Sequence, residues 1–350
     1  MDRISINGST SYDVIIEHGI LDRVGNVLRD ELGGERALIV TDSNVAALYL
    51  NTLAVSLKAA GYDTVSLTLA PGEQTKSIDN YVLILDVLAD HEFSSTDLII
   101  ALGGGMIGDL AGFAGSTFKR GMNCAQIPTS LLAAVDASVG GKTAINTESA
   151  KNQVGTIHNP SIVICDPDTM STLSAADLHE GYAEIIKYGI LTGTDILDSL
   201  RAAITDGDYS DVIRRSVVIK RDIVEQDEND RSLRQYLNLG HLAGHAIEAY
   251  HNYSISHGQG VAEGLAIESR CAAMSGFSEI STYLAITALL EEFGFDITKT
   301  YSCTELLPYL LRDKRLRNGY IQIIVPNRIG DCTMRELDAD SLESYIRSGL

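Results

Sequence analysis

This sequence of 350 residues predicts an α/β nucleotide-binding domain with a mainly parallel sheet, followed by an α-helical domain. Three observations predict it. Through the first half, short runs rich in Val and Ile alternate with amphipathic stretches of helical length, the pattern of βα units. One of those runs ends in Gly103-Gly104-Gly105 at the start of a helix. From about Ala175 onward the periodicity is almost wholly helical. The length suffices for one large or two ordinary domains with real cores.

Taken in order, strands are expected over residues 37–41, 64–69, 97–102 and 162–166, with helices over 19–32, 44–60 and 77–91 between them. The second half predicts helices over 178–191, 211–226, 235–251, 260–275 and 281–293. A late strand over 320–325 precedes a turn at Pro326-Asn327. The domains are therefore drawn as 1–174 and 175–350. There is no tandem repeat or low-complexity segment.

Composition excludes several classes. Apolar residues make up 45%, normal for a globular chain. The longest apolar runs, such as 98–102, are far too short to cross a bilayer. The N-terminal stretch has no basic flank followed by an apolar run, so no signal peptide is expected, and a cytoplasmic location is. Five scattered cysteines without a CxxC pair argue against a disulfide framework and against a Cys-based zinc site. A net charge of −20 argues against nucleic acids and anionic membranes as partners. It also means that any anion site must concentrate its cations locally.

Residues 97–109 read as strand, glycine turn and helix start. Gly103, Gly104 and Gly105 are expected to let the backbone turn tightly and approach a ligand, with the helix N-terminus offering N–H groups to a phosphate. The spacing Gly103-x-Gly105-x-x-Gly108 matches the dinucleotide fingerprint, though a purely structural turn gives the same pattern. The loop 71–77 adds Glu73 for a ribose hydroxyl and Lys76 for a phosphate. Asp42, just after a strand, is placed for a ribose or as a plain helix cap. Pro128-Thr129-Ser130 makes a third such loop. Loops at four successive strand ends form one crevice.

In the helical half, His241 and His245 stand four apart, on one face of the expected helix, with Asn238 one turn earlier. His257 follows, and Glu184 offers a carboxylate. Two of the histidines with the glutamate, plus an open position, suit a catalytic zinc. Spacing does not decide which two, and an i, i+4 pair also fits surface or cap roles. His251 reads as a bystander. Cations gather at Arg120, Lys142, Lys151, Lys187, Lys220, Arg234 and Lys314. Singly they read as solvated charges, and together they suit an anion site.

With these motifs in order along the chain, residues 42–330 resemble the dehydroquinate synthase family of sugar phosphate cyclases. The stretches that carry the resemblance include Gly72-Glu-Gln-Thr-Lys-Ser77, Gly103-Gly-Gly-Met-Ile-Gly-Asp109, Val139-Gly-Gly-Lys-Thr143, Ala183-Glu-Ile-Ile-Lys187, Leu237-Asn-Leu-Gly-His241, His257-Gly258 and Asp313-Lys314. The resemblance implies Glu184, His241 and His257 as ligands of a divalent metal (zinc or cobalt). His245 becomes an acid/base and phosphate-side residue. It implies NAD contacts at Asp42, Gly72, Glu73, Lys76, Gly104, Gly105, Asp109, Thr129, Ser130, Lys142, Lys151 and Thr172. For the substrate it implies Asp136, Lys142, Asn152, Lys187, Lys220, Arg234, Asn238, His245 and Lys314. Arg120 is implied to reach a neighbouring copy, hence a homodimer.

The implied reaction turns a phosphorylated seven-carbon keto acid, 3-deoxy-arabino-heptulosonate 7-phosphate, into 3-dehydroquinate and phosphate, a lyase step of aromatic amino acid biosynthesis by the shikimate pathway. The alternatives are a sister cyclase making 2-deoxy-scyllo-inosose or 2-epi-5-epi-valiolone, a metal-dependent polyol dehydrogenase, and a catalytically dead NAD-binding protein. The chain departs from the family pattern at Ser130, Ala137, Ala144 and residues 148–150. It also has Asp230 where the family has Glu, and Arg315 where it has Lys.

Overall fold

The computed structural model describes every residue except Glu148, Ser149, Lys314 and Arg317, and of Ala150 the backbone alone. The chain forms two compact units, Met1–Ser174 with Gly207–Glu228, and Ala175–Asp206 with Asn229–Leu350.

The first unit is built on a seven-stranded sheet of order β1-β2-β9-β6-β5-β3-β4. Its strands are β1 (Asp2–Ile6), β2 (Tyr12–Ile16), β3 (Arg36–Asp42), β4 (Asp63–Leu69), β5 (Leu98–Gly103), β6 (Asn123–Pro128) and β9 (Ile162–Cys165). All neighbours pair in parallel except β1 with β2. A separate antiparallel hairpin, β7 (Lys142–Thr147) with β8 (Ala150–Ile157), stands outside the sheet. The helices are α1 (Val24–Glu31), α2 (Ser43–Val45), α3 (Asn51–Ala59), α4 (Ile78–Asp90), α5 (Gly105–Thr117) and, from later in the chain, α8 (Ser210–Val224). Between α2 and α3 the helical run widens to a π-turn over Ala46–Leu50.

Both faces of this sheet are covered. Ile39 and Ile100 join Leu28 and Leu57 in one core, while Leu38, Val40 and Ile99 join Ile84, Leu88 and Leu110 in another. That is why the central strands read as unbroken apolar runs rather than alternating ones.

The second unit contains α6 (Ala175–Thr192), α7 (Asp195–Asp206), α9 (His241–Tyr250), α10 (His257–Met274), α11 (Ile280–Glu292), α12 (Cys303–Leu310) and α13 (Ala339–Gly349). A small hairpin, β10 (Tyr320–Arg328) and β11 (Asp331–Asp338), accompanies them. Its core joins Leu242, Ile247, Leu306, Ile323 and Ile346.

Several expectations change. The sequence assigns all of 175–350 to one domain, but α8 belongs with the first unit, where it packs on β1. An amphipathic pattern marks an apolar face, not the surface it will cover. The single helix expected over 235–251 is broken. A short 3₁₀ turn over Leu233–Asn238 is followed by Gly240 in the left-handed region (φ 78°), and α9 starts only at His241. Asn238 is therefore not one turn earlier on the same helix. The turn expected at Pro326-Asn327 lies further on, at Ile329-Gly330. Pro326 stays in β10 beside a register shift, which a two-stranded edge tolerates. Helix α5 stops at Thr117, and Lys119 and Arg120 adopt left-handed φ values.

Ile100 lies fully buried at the centre of β5. Ile100→Ala is expected to cost about 2–5 kcal/mol of stability, read as a lower midpoint in a denaturant titration.

Candidate active site

In the first unit the parallel strands β4, β3, β5 and β6 are consecutive neighbours. The loops that follow them carry Gly72–Lys76, Asp42, Gly103–Gly105 and Thr129-Ser130, and so lie at one end of the sheet, as expected. Chain order reverses between β3 and β5, so Asp42 and the three glycines flank the switch point where such sheets bind ligands.

None of Gly103, Gly104 and Gly105 has a positive φ. Their role is close approach: a Cβ would lie 2.9 Å from the Ile107 side chain at Gly103, 3.2 Å from Ser130 Oγ at Gly104, and 3.1 Å from Ala137 Cβ at Gly105. Gly104 is the N-cap of α5 and no side chain caps it, so the helix presents its first N–H groups at the strand end.

Asp42 is a helix cap: its Oδ1 accepts from Asn44 N (2.9 Å) and Val45 N (3.2 Å). Ser130 Oγ accepts from Ala133 N at 3.3 Å. Lys76 is buried, its ammonium donating to Asp109 and, at 2.5 Å, to Asn152 Oδ1. Burial pushes the Asp109 carboxyl up, against the pull of Lys76. Asn146 ties these loops together. Its Nδ2 donates to Glu73 Oε1 (2.7 Å), its N–H donates to the Lys76 carbonyl (2.8 Å), and its Oδ1 accepts from Asn152 N (3.0 Å). Asn152 itself has φ 55°. Lys142 is exposed at the start of β7, next to Gly141 (φ 67°), where a Cβ would lie 2.6 Å from Asn159 Oδ1. Lys151 lies in β8. Thr172 Oγ1 meets Tyr49 OH at 2.5 Å. On α8, Lys220 donates to the Asp136 carbonyl (2.7 Å) and pairs with its carboxylate (2.9 Å). Arg120 is exposed just beyond α5.

In the second unit Glu184, on α6, is fully buried. His241 Nε2 stands 3.2 Å and His257 Nε2 3.4 Å from its Oε1. Lys187, one turn on, pairs with Oε2. Neither carboxylate oxygen makes a well-directed hydrogen bond, although these three groups lie close. Both rings are set from behind. His241 Nδ1 faces the Leu239 carbonyl at 3.1 Å, and His257 Nδ1 faces Glu248 Oε1 at 2.9 Å. A proton on each Nδ1 leaves each Nε2 lone pair aimed at the Glu184 side, the arrangement that metal-binding histidines use. The set therefore fits a divalent metal. Among the described residues, two groups bring ligand atoms within 4.8 Å: Glu184 with His241 and His257, and His245 with Glu248 and His257. In the second, Glu248 is engaged with His257 Nδ1, which favours the first.

The electrostatics follow. Burial pushes Glu184 up, but Lys187 and His241 outweigh it and hold it well below the usual carboxylate range. Burial, joined by the charges of Lys187 and His257, lowers His241 despite Glu184. Burial lowers His257 as well, yet the close carboxylates of Glu184 and Glu248 prevail and raise it to about 10. His245 is solvent-accessible but closely surrounded, and that desolvation, with the charge of His241, holds its pKa well below 6.5.

Arg234 is fully buried and Asn238 partly so, both in the 3₁₀ turn before α9. Asp230 has φ 56°. Arg315 grips Asp313 with two bonds, Nε to Oδ1 at 2.8 Å and Nη2 to Oδ2 at 2.5 Å, a fork that lysine lacks. Lys314 lies outside the described residues. Sequence reasoning missed Glu248 and Asn146 as supports. For Glu248 the signal was a carboxylate amid apolar residues of a buried helix; for Asn146 there was none.

A parallel sheet with glycine-capped phosphate-type loops, joined in one chain to a helical Glu-His-His cluster, defines a class of two-unit α/β proteins. Solved structures share this fold. One is 2-deoxy-scyllo-inosose synthase complexed with carbaglucose-6-phosphate, NAD+ and Co2+ (TM-score 0.87, 22% identity, 100% of each chain covered). Another is 2-epi-5-epi-valiolone synthase from Streptomyces hygroscopicus subsp. jinggangensis 5008 with NAD+ and Zn2+ bound (TM-score 0.86, 24% identity, 98% of each covered). Residues 66–180 match the 3-dehydroquinate synthase N-terminal family and residues 181–316 the 3-dehydroquinate synthase C-terminal family. The 3-dehydroquinate synthase of Enterococcus faecalis is 39% identical over 342 residues, 96% of either chain. The chain belongs to the 3-dehydroquinate synthase family.

With its pKa raised to about 10, His257 carries a proton in the metal-free protein at neutral pH. Its contribution to metal-free stability is complete below about 6.5 and is lost as pH rises through about 10. A bound metal needs the neutral ring. Zinc binding at pH 7.5 is therefore expected to release about one proton, measured by calorimetry in two buffers of different ionisation heat. Glu248→Ala should weaken zinc affinity about 10–100-fold.

Proposed function

We propose that this chain converts 3-deoxy-arabino-heptulosonate 7-phosphate to 3-dehydroquinate and inorganic phosphate, using NAD and a divalent metal, zinc or cobalt. The observation that carries this reading is the buried Glu184 with two pre-set imidazoles, in a chain 39% identical to a 3-dehydroquinate synthase over 96% of its length. When bound, NAD takes up and returns a hydride, and the metal polarises the oxygen on the carbon being oxidised.

The residues divide the remaining work. The loops after β3, β4, β5 and β6 hold the dinucleotide, with the open N-terminus of α5 at a phosphate. Lys220 and Arg234 hold the substrate carboxylate. Asn238 and Lys314 belong to the same carboxylate-binding set, and Asp136 and Lys187 are further substrate residues. Lys142, Asn152 and His245 hold the phosphate as it departs from the carbon next to the acidified C–H. The lowered pKa of His245 keeps its ring neutral near pH 7, able to accept a proton. Arg120 reaches the site of a second copy, so the working form is a homodimer, and the protein works in the cytoplasm. No described helix is long and apolar enough to cross a membrane.

A substrate with both a phosphate and a carboxylate agrees with the cation set of a chain whose net charge is −20. Incubated with catalytic NAD, zinc and the heptulosonate phosphate, the protein should release phosphate and form dehydroquinate one for one, without net NADH. Phosphate without dehydroquinate would identify a sister cyclase, and accumulating NADH a polyol dehydrogenase. Glu184→Ala should abolish turnover. Lys220→Ala should lose about tenfold or more in kcat/KM, as removal of a charged hydrogen bond worth about 1.5–3 kcal/mol implies.

A further inference from the structure

His241 and His257 share an unusual position, since each is the first residue of its helix, α9 and α10 respectively. A helix start is where backbone N–H groups lack partners and where the chain is least constrained. In both cases a carboxylate from another helix closes that end.

At α9 the N-cap is Gly240, which has no side chain to cap with. No other residue fits there: φ is +78°, and a Cβ would lie 2.6 Å from the Leu265 side chain. The cap comes instead from α10. Glu268 Oε2 accepts from Gly240 N (3.0 Å) and Oε1 from Ala243 N (2.9 Å), bracketing His241 on both sides. Glu268 is buried, and it reaches this end because Gly264, one turn earlier on the same face of α10, lets the helices touch. A Cβ on Gly264 would lie 1.9 Å from the Gly240 carbonyl oxygen.

At α10 the partner is Glu180 of α6, whose Oε2 accepts from Gly258 N at 2.7 Å, directly after His257. Gly258 again permits the approach, since a Cβ there would lie 2.7 Å from Glu180 Cα. Glu180 and Glu184 are four residues apart on one face of α6, so one turn of that helix both grips the start of α10 and presents the carboxylate that its histidine meets.

We propose that Glu268 and Glu180 are positioning residues for the metal ligands His241 and His257, holding the two helix starts so that both Nε2 atoms converge on Glu184. The inference rests on the reading of Glu184, His241 and His257 as the metal site. Glu268, buried and twice bonded, carries the larger share.

The test titrates metal-free full-length protein with Co2+, reading affinity and the visible absorption of the bound ion. Glu268→Gln puts an amide N–H against a backbone N–H. It is expected to weaken Co2+ binding about 10–100-fold and to change the absorption band. Glu180→Gln should do so to a smaller extent, and Glu268→Asp, which keeps the charge, should fall between wild type and Glu268→Gln. Unchanged affinity and an unchanged band in Glu268→Gln overturn the proposal, whatever happens to the melting temperature. Should that variant not fold, the same result in Glu268→Asp overturns it. Glu184→Gln serves as the control for the underlying reading. If it binds Co2+ like the wild type, the metal site itself is wrong. If it loses binding while Glu268→Gln does not, only the positioning role fails.

Discussion

The second unit depends on how closely α9 and α10 approach. Glycines set that distance. A Cβ on Gly244 would lie 2.8 Å from the Gly260 carbonyl oxygen, and one on Gly264 still closer to that of Gly240. Overpacking such a contact forces backbone shifts, and here a shift moves a histidine. The closeness also brings Glu248 of α9 within 2.9 Å of His257 Nδ1 on α10. The imidazole geometry around Glu184 is thus a consequence of helix packing more than of local chain conformation.

The same logic governs the cations. In a chain of net charge −20 the basic groups of interest are kept beside carboxylates, Lys76 by Asp109, Lys220 by Asp136 and Lys187 by Glu184. Each pair lies within one unit. A buried ammonium without a partner would be costly, whereas a paired one is held in a defined place. Arg315 follows this pattern too. Its bidentate hold on Asp313 gives the departure from the family's lysine a physical role. Nothing in the structure explains Ala144.

Much of the first unit was legible. The expected strands at 37–41, 64–69, 97–102 and 162–166 correspond to β3, β4, β5 and β9 within a residue at either end. Doubly covered parallel strands leave an unmistakable apolar run. The hairpin β7–β8 was not foreseen, because exposed positions dilute its alternation. The helices α7, α12 and α13 were missed as well. The break at Gly240 was missed because the helical period continues across it, and one left-handed glycine carries no periodic signature. The ownership of α8 could not be read, since its apolar face is silent about its partner.

By itself the sequence determined the central strands β3, β4, β5 and β9, the glycine loops at the strand ends and, through its motifs, the family and the ligand types. Those follow from local periodicity and from residue identity, which neighbours in the chain decide. Only the tertiary structure decided that Gly103–Gly105 turn without a positive φ and in close contact with neighbouring side chains, and that Asp42 caps a helix. It alone brought His257 and His241, sixteen residues apart, to one carboxylate on a third helix, with Glu248 and Glu268 behind them. Such convergence depends on contacts between residues distant in sequence, and no pattern within a single segment records it.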